Sequence, residues 1–194
     1  MTRRCSPPFA RLALVSAALL APPLVASPAA APPVDGKAAF ARLATLAGTW
    51  EGEAGHGGAG QGATVTYRLA SGGSVVEETL FPGTPHEMIS MYHLVDGQLV
   101  MTHYCAMANQ PRMRLDAKSS TPDRLVFAFD GGTNFDPAKD THVHSGVIEW
   151  KGESLHAAWA VFSAGKETGQ NRFVLSRATE PMPPAPPQPA SSPR

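Results

Sequence analysis

From residue 48 onward, apolar and polar positions alternate. "TVTYRLA" sets Val65, Tyr67 and Leu69 on one side and Thr64, Thr66 and Arg68 on the other, the period-two pattern of a strand with one buried face. The same alternation runs through "SVVEETLF", "EMISMYHLV", "QLVMTHYC", "RLVFAFD", "HVHSGVIEW", "LHAAWAVFS" and "NRFVLSR". Turn-forming stretches separate them: "SGG", "PGTP", "DG", "NQP", "KGES" and "AGKETG". With "TWEGEA" and a short "RMRLD" added, the pattern predicts about ten strands at the close spacing of an antiparallel meander. Such a meander has two edges to protect, and closure removes both. The expected fold is therefore an all-β, closed barrel, with two packed sheets as the alternative. A single helix precedes it, in "KAAFARLATLAG", where Phe40, Leu43 and Leu46 form an apolar stripe and Gly48 ends the run.

Turn lengths decide which residues face inward. A two-residue Asp96-Gly97 turn pairs Val95 with Gln98. Met88, Ser90, Tyr92 and Leu94 then share a face with Leu99, Met101, His103 and Cys105. The "KGES" turn pairs Trp150 with Leu155, so His142, His144, Gly146, Ile148 and Trp150 oppose Leu155, Ala157, Trp159 and Val161. Both faces are the more apolar ones and are expected to look inward, although a slip of one residue would reverse either assignment.

The ends of the chain read differently. Arg3, Arg4 and Arg11 flank or precede the apolar run "LALVSAALLAPPLVA", which is too short and Pro-broken to span a membrane; the small residues "ASPAAA" follow. Residues 1–31 are thus expected to be a signal peptide and linker, and the protein to be exported, periplasmic or secreted. The Pro-rich stretch "ATEPMPPAPPQPASSPR" predicts a solvated tail over residues 178–194. One domain over residues 37–177 remains, a size at which a single core suffices.

Cleavage changes the charge. The chain carries 16 basic and 16 acidic residues; losing Arg3, Arg4 and Arg11 leaves 13 against 16, a net charge of −3. No basic stretch interleaved with aromatics is present, which argues against a nucleic-acid partner and against binding an anionic membrane surface. Cys5 leaves with the leader, so Cys105 is unpaired, in a compartment that favours pairing. A buried, inert thiol is its plainer reading and a used one the other.

The inward faces carry the candidate chemistry. Met88, Tyr92, Met101, His103, Cys105, His142, His144, Trp150 and Trp159 are expected around the interior, where aromatics and methionines supply contact area and histidines orient a polar end. His142 and His144 are spaced so that two imidazoles on one strand can converge on a metal, and His103 or Cys105 as a third ligand would suit zinc or copper. In the plainer reading these histidines line a polar pocket. His56, His86, His93 and His156 are expected at the surface or in loops.

"LAGTWEGEA", residues 46–54, runs a short helix into Gly-x-Trp-x-Gly at the first strand. This resembles the start of lipocalin-like, or calycin, barrels, closest to the nitrobindin and fatty-acid-binding-protein type. "HEMISMYHLVDGQLVMTHYCAMANQPRM" and "THVHSG" also resemble a group of exported bacterial lipocalin-like proteins, so the likeness spans most of residues 40–177. The resemblance implies a structural role for Trp50 as a plug at the barrel base. Nitrobindins hold haem through a histidine near the end of the last strand; "GQNRFVLSR" has none, so haem by that route is not implied. Neither metal nor haem is required by the pattern.

Other motifs have plainer explanations. "GHGGAG" matches a dinucleotide fingerprint by letter, but a strand follows it rather than a helix, and a hairpin loop at the barrel mouth is expected. "DGGTNFDPAKD" lacks the spacing of a calcium loop and reads as Asx turns, in a position to cover a portal. In "NQPRM", Pro111 is expected to stop strand pairing, with Arg112 and Arg114 facing solvent; a slipped register would make one of them an inward anion anchor. No Gly-x-Ser-x-Gly or His-Glu-x-x-His occurs, and His103 and Cys105 point parallel on one strand, so the reading leans away from an enzyme. The functional expectation is a container for a small, mostly apolar ligand. A metal or haem site on His142, His144 and His103, or an acid–base pocket, are the alternatives.

Overall fold

The computed structural model describes residues 33–56 and 60–179. The expected leader (1–31), most of the expected tail and the centre of "GHGGAG" lie outside the described residues. Among the described residues no helix is long and apolar enough to cross a membrane.

Ten strands form one closed antiparallel barrel: β1 (Gly48–His56), β2 (Gln61–Ala70), β3 (Val75–Leu80), β4 (Met88–Val95), β5 (Gln98–Tyr104), β6 (Gln110–Leu115), β7 (Arg124–Thr133), β8 (His142–Lys151), β9 (Ser154–Ser163) and β10 (Lys166–Arg177). Each strand pairs with its neighbours in sequence, and β1 closes the ring on β10 from Trp50↔Arg177 to His56↔Asn171. The meander needs only short turns and leaves no free edge, the solution anticipated from the alternation.

The helix α1 (Gly36–Ala44) closes one end. Asp35 caps it, its carboxylate accepting from the Ala38 N–H at 3.1 Å. Its buried side is Ala39, Leu43 and then Leu46, one position round from the expected stripe, while Phe40 is only half-buried. The helix is seated by a close approach: a Cβ on Gly36 would collide with the carbonyl oxygen of Gly97 in the β4–β5 turn.

Trp50 plugs this base, 5 % exposed, its indole N–H donating to the Leu46 carbonyl at 2.8 Å. The Arg177 guanidinium lies 4.7 Å from the centre of the Trp50 ring and donates to the carbonyls of Ala47 and Thr45. First strand, last strand and helix exit are therefore fastened at one point.

The turn arithmetic holds in both hairpins. Val95 pairs with Gln98, Tyr92 with Met101 and Ser90 with His103; Asp96 and Gly97 both adopt positive φ, as a two-residue primed turn requires. Trp150 pairs with Leu155, Ile148 with Ala157 and Gly146 with Trp159. Further along β8 the register shifts between Val143 and Ser145, so that Val143, not His144, opposes Val161. His144 is the extra residue of a β-bulge, a local feature that alternation does not announce. Pro111 differs from expectation too: it lies within β6, paired with Gly132 beside a bulge, while the β5–β6 ladder runs only from Val100↔Arg114 to Thr102↔Arg112. Its missing N–H thus falls where no β5 partner pairs. Arg112 and Arg114 face outward and share Asp130, each at 3.0 Å.

Candidate functional site

The barrel has a filled end and an open end. Near α1 the interior is packed by Leu43, Leu46, Trp50, Leu99, Leu125 and Leu155. At the opposite end, where the β5–β6 and β7–β8 connections contribute Cys105, Met107 and Thr141 to its lining, lies a cavity of about 360 Å³. A second, more open cavity of about 440 Å³ adjoins it, and His56, Met88, Asn171 and Phe173 line both.

Six of the nine residues expected around the interior line the inner cavity: Met88, Met101, His103, Cys105, His142 and Trp159. Leu80, Val161 and Phe173 complete an apolar wall. Trp159 is held in place by the absence of a side chain on Gly146, where a Cβ would overlap its six-membered ring.

The other three lie elsewhere. Tyr92 is fully buried but sits off the cavity wall, its hydroxyl committed to Glu78 at 2.9 Å. Trp150 belongs to the base of the barrel, where the Arg42 guanidinium of α1 covers its ring at 4.6 Å. His144, displaced by the bulge, is sandwiched between Phe129 and Phe162, with ring centres 4.3 and 4.0 Å away and planes 14° and 20° from parallel.

His142 and His144 hydrogen-bond each other, Nε2 to Nδ1, at 3.0 Å. His142 Nδ1 stands 2.8 Å from the carbonyl oxygen of Asp140, which can only accept, so that nitrogen carries the proton. With both rings neutral, His144 Nδ1–H donates to His142 Nε2. Partial burial, and secondarily the neighbouring His142, lower the His144 pKa. The three-histidine set considered from sequence is not assembled, because His103 bonds Ser90 on a different hairpin. Among the described residues no three His, Cys, Asp or Glu side chains gather as a metal site requires.

His103 is 5 % exposed, and its Nδ1 lies 3.0 Å from the Ser90 hydroxyl. Its Nε2 is buried without a hydrogen-bond partner. Burial lowers its pKa to about 4, so the ring is neutral near pH 7. Cys105 Sγ is 4.0 Å from Met88 Sδ. Cys105 and His103 therefore have different partners and form no dyad.

Beneath the cavity lies a group the sequence reading passed over. Glu78 is 1 % exposed, and its two carboxylate oxygens accept the hydroxyls of Tyr67 at 2.6 Å and Tyr92 at 2.9 Å. Burial raises its pKa; hydrogen bonds from Tyr67, Ser90 and Tyr92 hold it back. Burial, reinforced by the Glu78 charge, pushes both tyrosines well above the usual phenol range. A signal was present: in "VVEETL" the alternation that buries Val76 and Leu80 must also bury Glu78. His56 was expected at the surface; it is exposed, yet it also lines the mouth, its Nδ1 2.8 Å from Asn171 Oδ1.

No protein-family model matches this chain, and no curated protein matches it by sequence. The closed ten-strand meander is compatible with a lipocalin-like barrel. Haem held from the last strand does not fit, because the β10 residues reaching the cavity are Thr168, Asn171 and Phe173.

Proposed function

We propose that this protein is an exported, lipocalin-like barrel that holds a small, mostly apolar molecule in the mouth half of its interior. The observation that carries the reading is a cavity of about 360 Å³ walled by Leu, Met, Trp and Phe side chains, with His103, His142, Ser90 and Asn171 among its few polar neighbours. Small-molecule sites have this character: a largely apolar concavity of roughly 300–1,000 Å³ with a few polar groups that orient the ligand. The leader pattern of residues 1–31 supports export.

The test is Nile red binding by fluorescence, with native mass spectrometry of protein recovered from the periplasmic fraction. One dye per chain is expected, and Met88→Trp, which fills the mouth side of the cavity, should weaken it at least tenfold. Equal binding by both proteins would defeat the reading. An N-terminus produced by a cut near Ala26 or Ala31 in the recovered protein is the expected mark of export.

One observation favours a second reading. Two sulfurs each about 2.3 Å from a common ion, at a trigonal angle, stand about 4 Å apart, and Cys105 Sγ and Met88 Sδ are 4.0 Å apart on the wall that also carries His103. Thiolate, thioether and imidazole suit copper(I). Anaerobic copper(I) titration against a chromophoric chelator, with Cys105→Ser alongside, tests it; identical curves for the two proteins would exclude this site.

A further inference from the structure

We propose that the ligand occupies both cavities of the mouth and is a ring-ended amphiphile: an aromatic ring with a polar substituent lies against Phe81 and Phe173 in the outer cavity, and a short apolar tail fills the inner one. The inference rests on the reading of the inner cavity as a ligand site and names the class of molecule it takes.

Phe81 carries the argument. Its φ is +52°, in the left-handed region that a bulky side chain rarely enters. Pro82 follows it, and the residue before a proline ordinarily takes an extended backbone, so two preferences are overridden at once. The other non-glycine residues with positive φ among those described are Ser71, Asp96, Ala108, Asn134 and Ala164, none with a side chain as large. Hydrogen bonds hold the conformation. The Phe81 N–H donates to the Thr64 carbonyl at 2.9 Å, and the Phe81 carbonyl accepts the Thr84 hydroxyl at 2.8 Å. Strain of this kind persists where the surroundings over-determine it, and it clusters at ligand-binding positions. The residue so held is half-buried and lines the outer cavity, its ring centre 5.9 Å from that of Phe173.

The two cavities differ in kind. They meet at His56, Met88, Asn171 and Phe173, which line both. Inside that boundary Leu80, Met101, Trp159 and Val161 suit an apolar tail. Outside it, Gln61, Thr84 and His86 bring polar atoms to the wall that Phe81 shares, and these can receive a ring substituent. Because Phe173 belongs to both cavities and packs on Phe81, one aromatic surface runs from the inner space to the outer. An aromatic ring laid against that surface makes the offset or edge contact that rings prefer, a gain that a saturated ring of the same size forgoes.

The test is calorimetric titration of the intact protein with 4-pentylphenol and trans-4-pentylcyclohexanol, which share a tail, a hydroxyl and a ring size but differ in the π face. The phenol is expected to bind about fivefold tighter, the worth of one aromatic pair, and in Phe81→Leu the two should come within about twofold. Intermolecular NOEs in the parent complex locate the two ends without any variant: ring protons to Phe81, terminal methyl to Met101 or Trp159. The held backbone is tested separately. Phe81→Gly should unfold at higher urea than Phe81→Ala, the reverse of the usual order, because glycine adopts positive φ freely. Equal binding of the two alcohols by the parent, an undiminished preference in Phe81→Leu, NOEs that place the ring beside Met101 and Trp159, or Phe81→Ala outlasting Phe81→Gly would each overturn the inference, while Nile red binding would keep the inner site standing. Failure of Nile red and both alcohols to bind would remove the site itself.

Discussion

The Ser90 hydroxyl lies 3.0 Å from Nδ1 of His103, across the β4–β5 ladder in which these two residues are directly paired. That contact couples two buried polar side chains, 1 % and 5 % exposed, on the inner face of one hairpin.

Acid stability should report the burial of His103. Its folded pKa of about 4 lies below the 6.5 of the free side chain, so between those values the unfolded chain takes up a proton that the folded chain refuses. Stability is therefore lost as pH falls from about 6.5 toward 4, by an amount on the order of 2–3 kcal/mol from this one group. Glu78 acts with the opposite sign, since its raised pKa relieves a buried charge on acidification. Urea melts at pH 7 and pH 4.5 are expected to show a smaller loss in His103→Phe than in the parent, and parallel losses would contradict a buried neutral imidazole.

Removing the Glu78 carboxylate should be costly. Glu78→Ala strips both Tyr67 and Tyr92 of their acceptor in the core, at about 3 kcal/mol or more. Glu78→Gln keeps one carbonyl acceptor and should cost roughly half as much. Denaturant midpoints would rank them in that order, and a neutral Glu78→Ala would mean the tyrosines find other partners.

Gly146 should tolerate no side chain. A methyl there overlaps the Trp159 ring, so Gly146→Ala is expected to displace the indole and cost about 2 kcal/mol. Red-shifted tryptophan emission and weaker Nile red binding should accompany the loss. Adding Trp159→Phe should restore part of the stability by making room.

The clasp at the base should be measurable by itself. Arg177→Ala loses the cation–π contact with Trp50 and two hydrogen bonds to the carbonyls after α1, together about 1–2 kcal/mol. Arg177→Lys should recover little, since an ammonium cannot stack on the indole and reach both carbonyls at once. Thermal unfolding of the two variants checks this, and full recovery by lysine would reduce the clasp to its charge.

Much of the barrel could be read along the chain because a strand's side-chain period is two and a tight turn transmits phase. Once Asp96-Gly97 is taken as a two-residue turn, Ser90 must oppose His103 and Tyr92 must oppose Met101, and they do. The same step places Trp159 against Gly146. His144 was misplaced because phase is lost where a ladder slips: the bulge after Val143 depends on how β8 fits β9 and the Phe129–Phe135–Phe162 cluster, which local spacing does not contain.

The sequence by itself determined the strands, their turns and the inward placement of Met88, Met101, His103, Cys105 and Trp159, because each follows from short-range periodicity. Only the tertiary structure decided between closure of β1 on β10 and two packed sheets, that the interior fills at the α1 end and stays open at the other, and that Glu78 gathers Tyr67 and Tyr92 around it. Those relations join residues from β2, β3 and β4, or from the two ends of the barrel. They come into being when the sheet closes, and it is closure that excludes water from the Glu78 carboxylate and from the His103 imidazole.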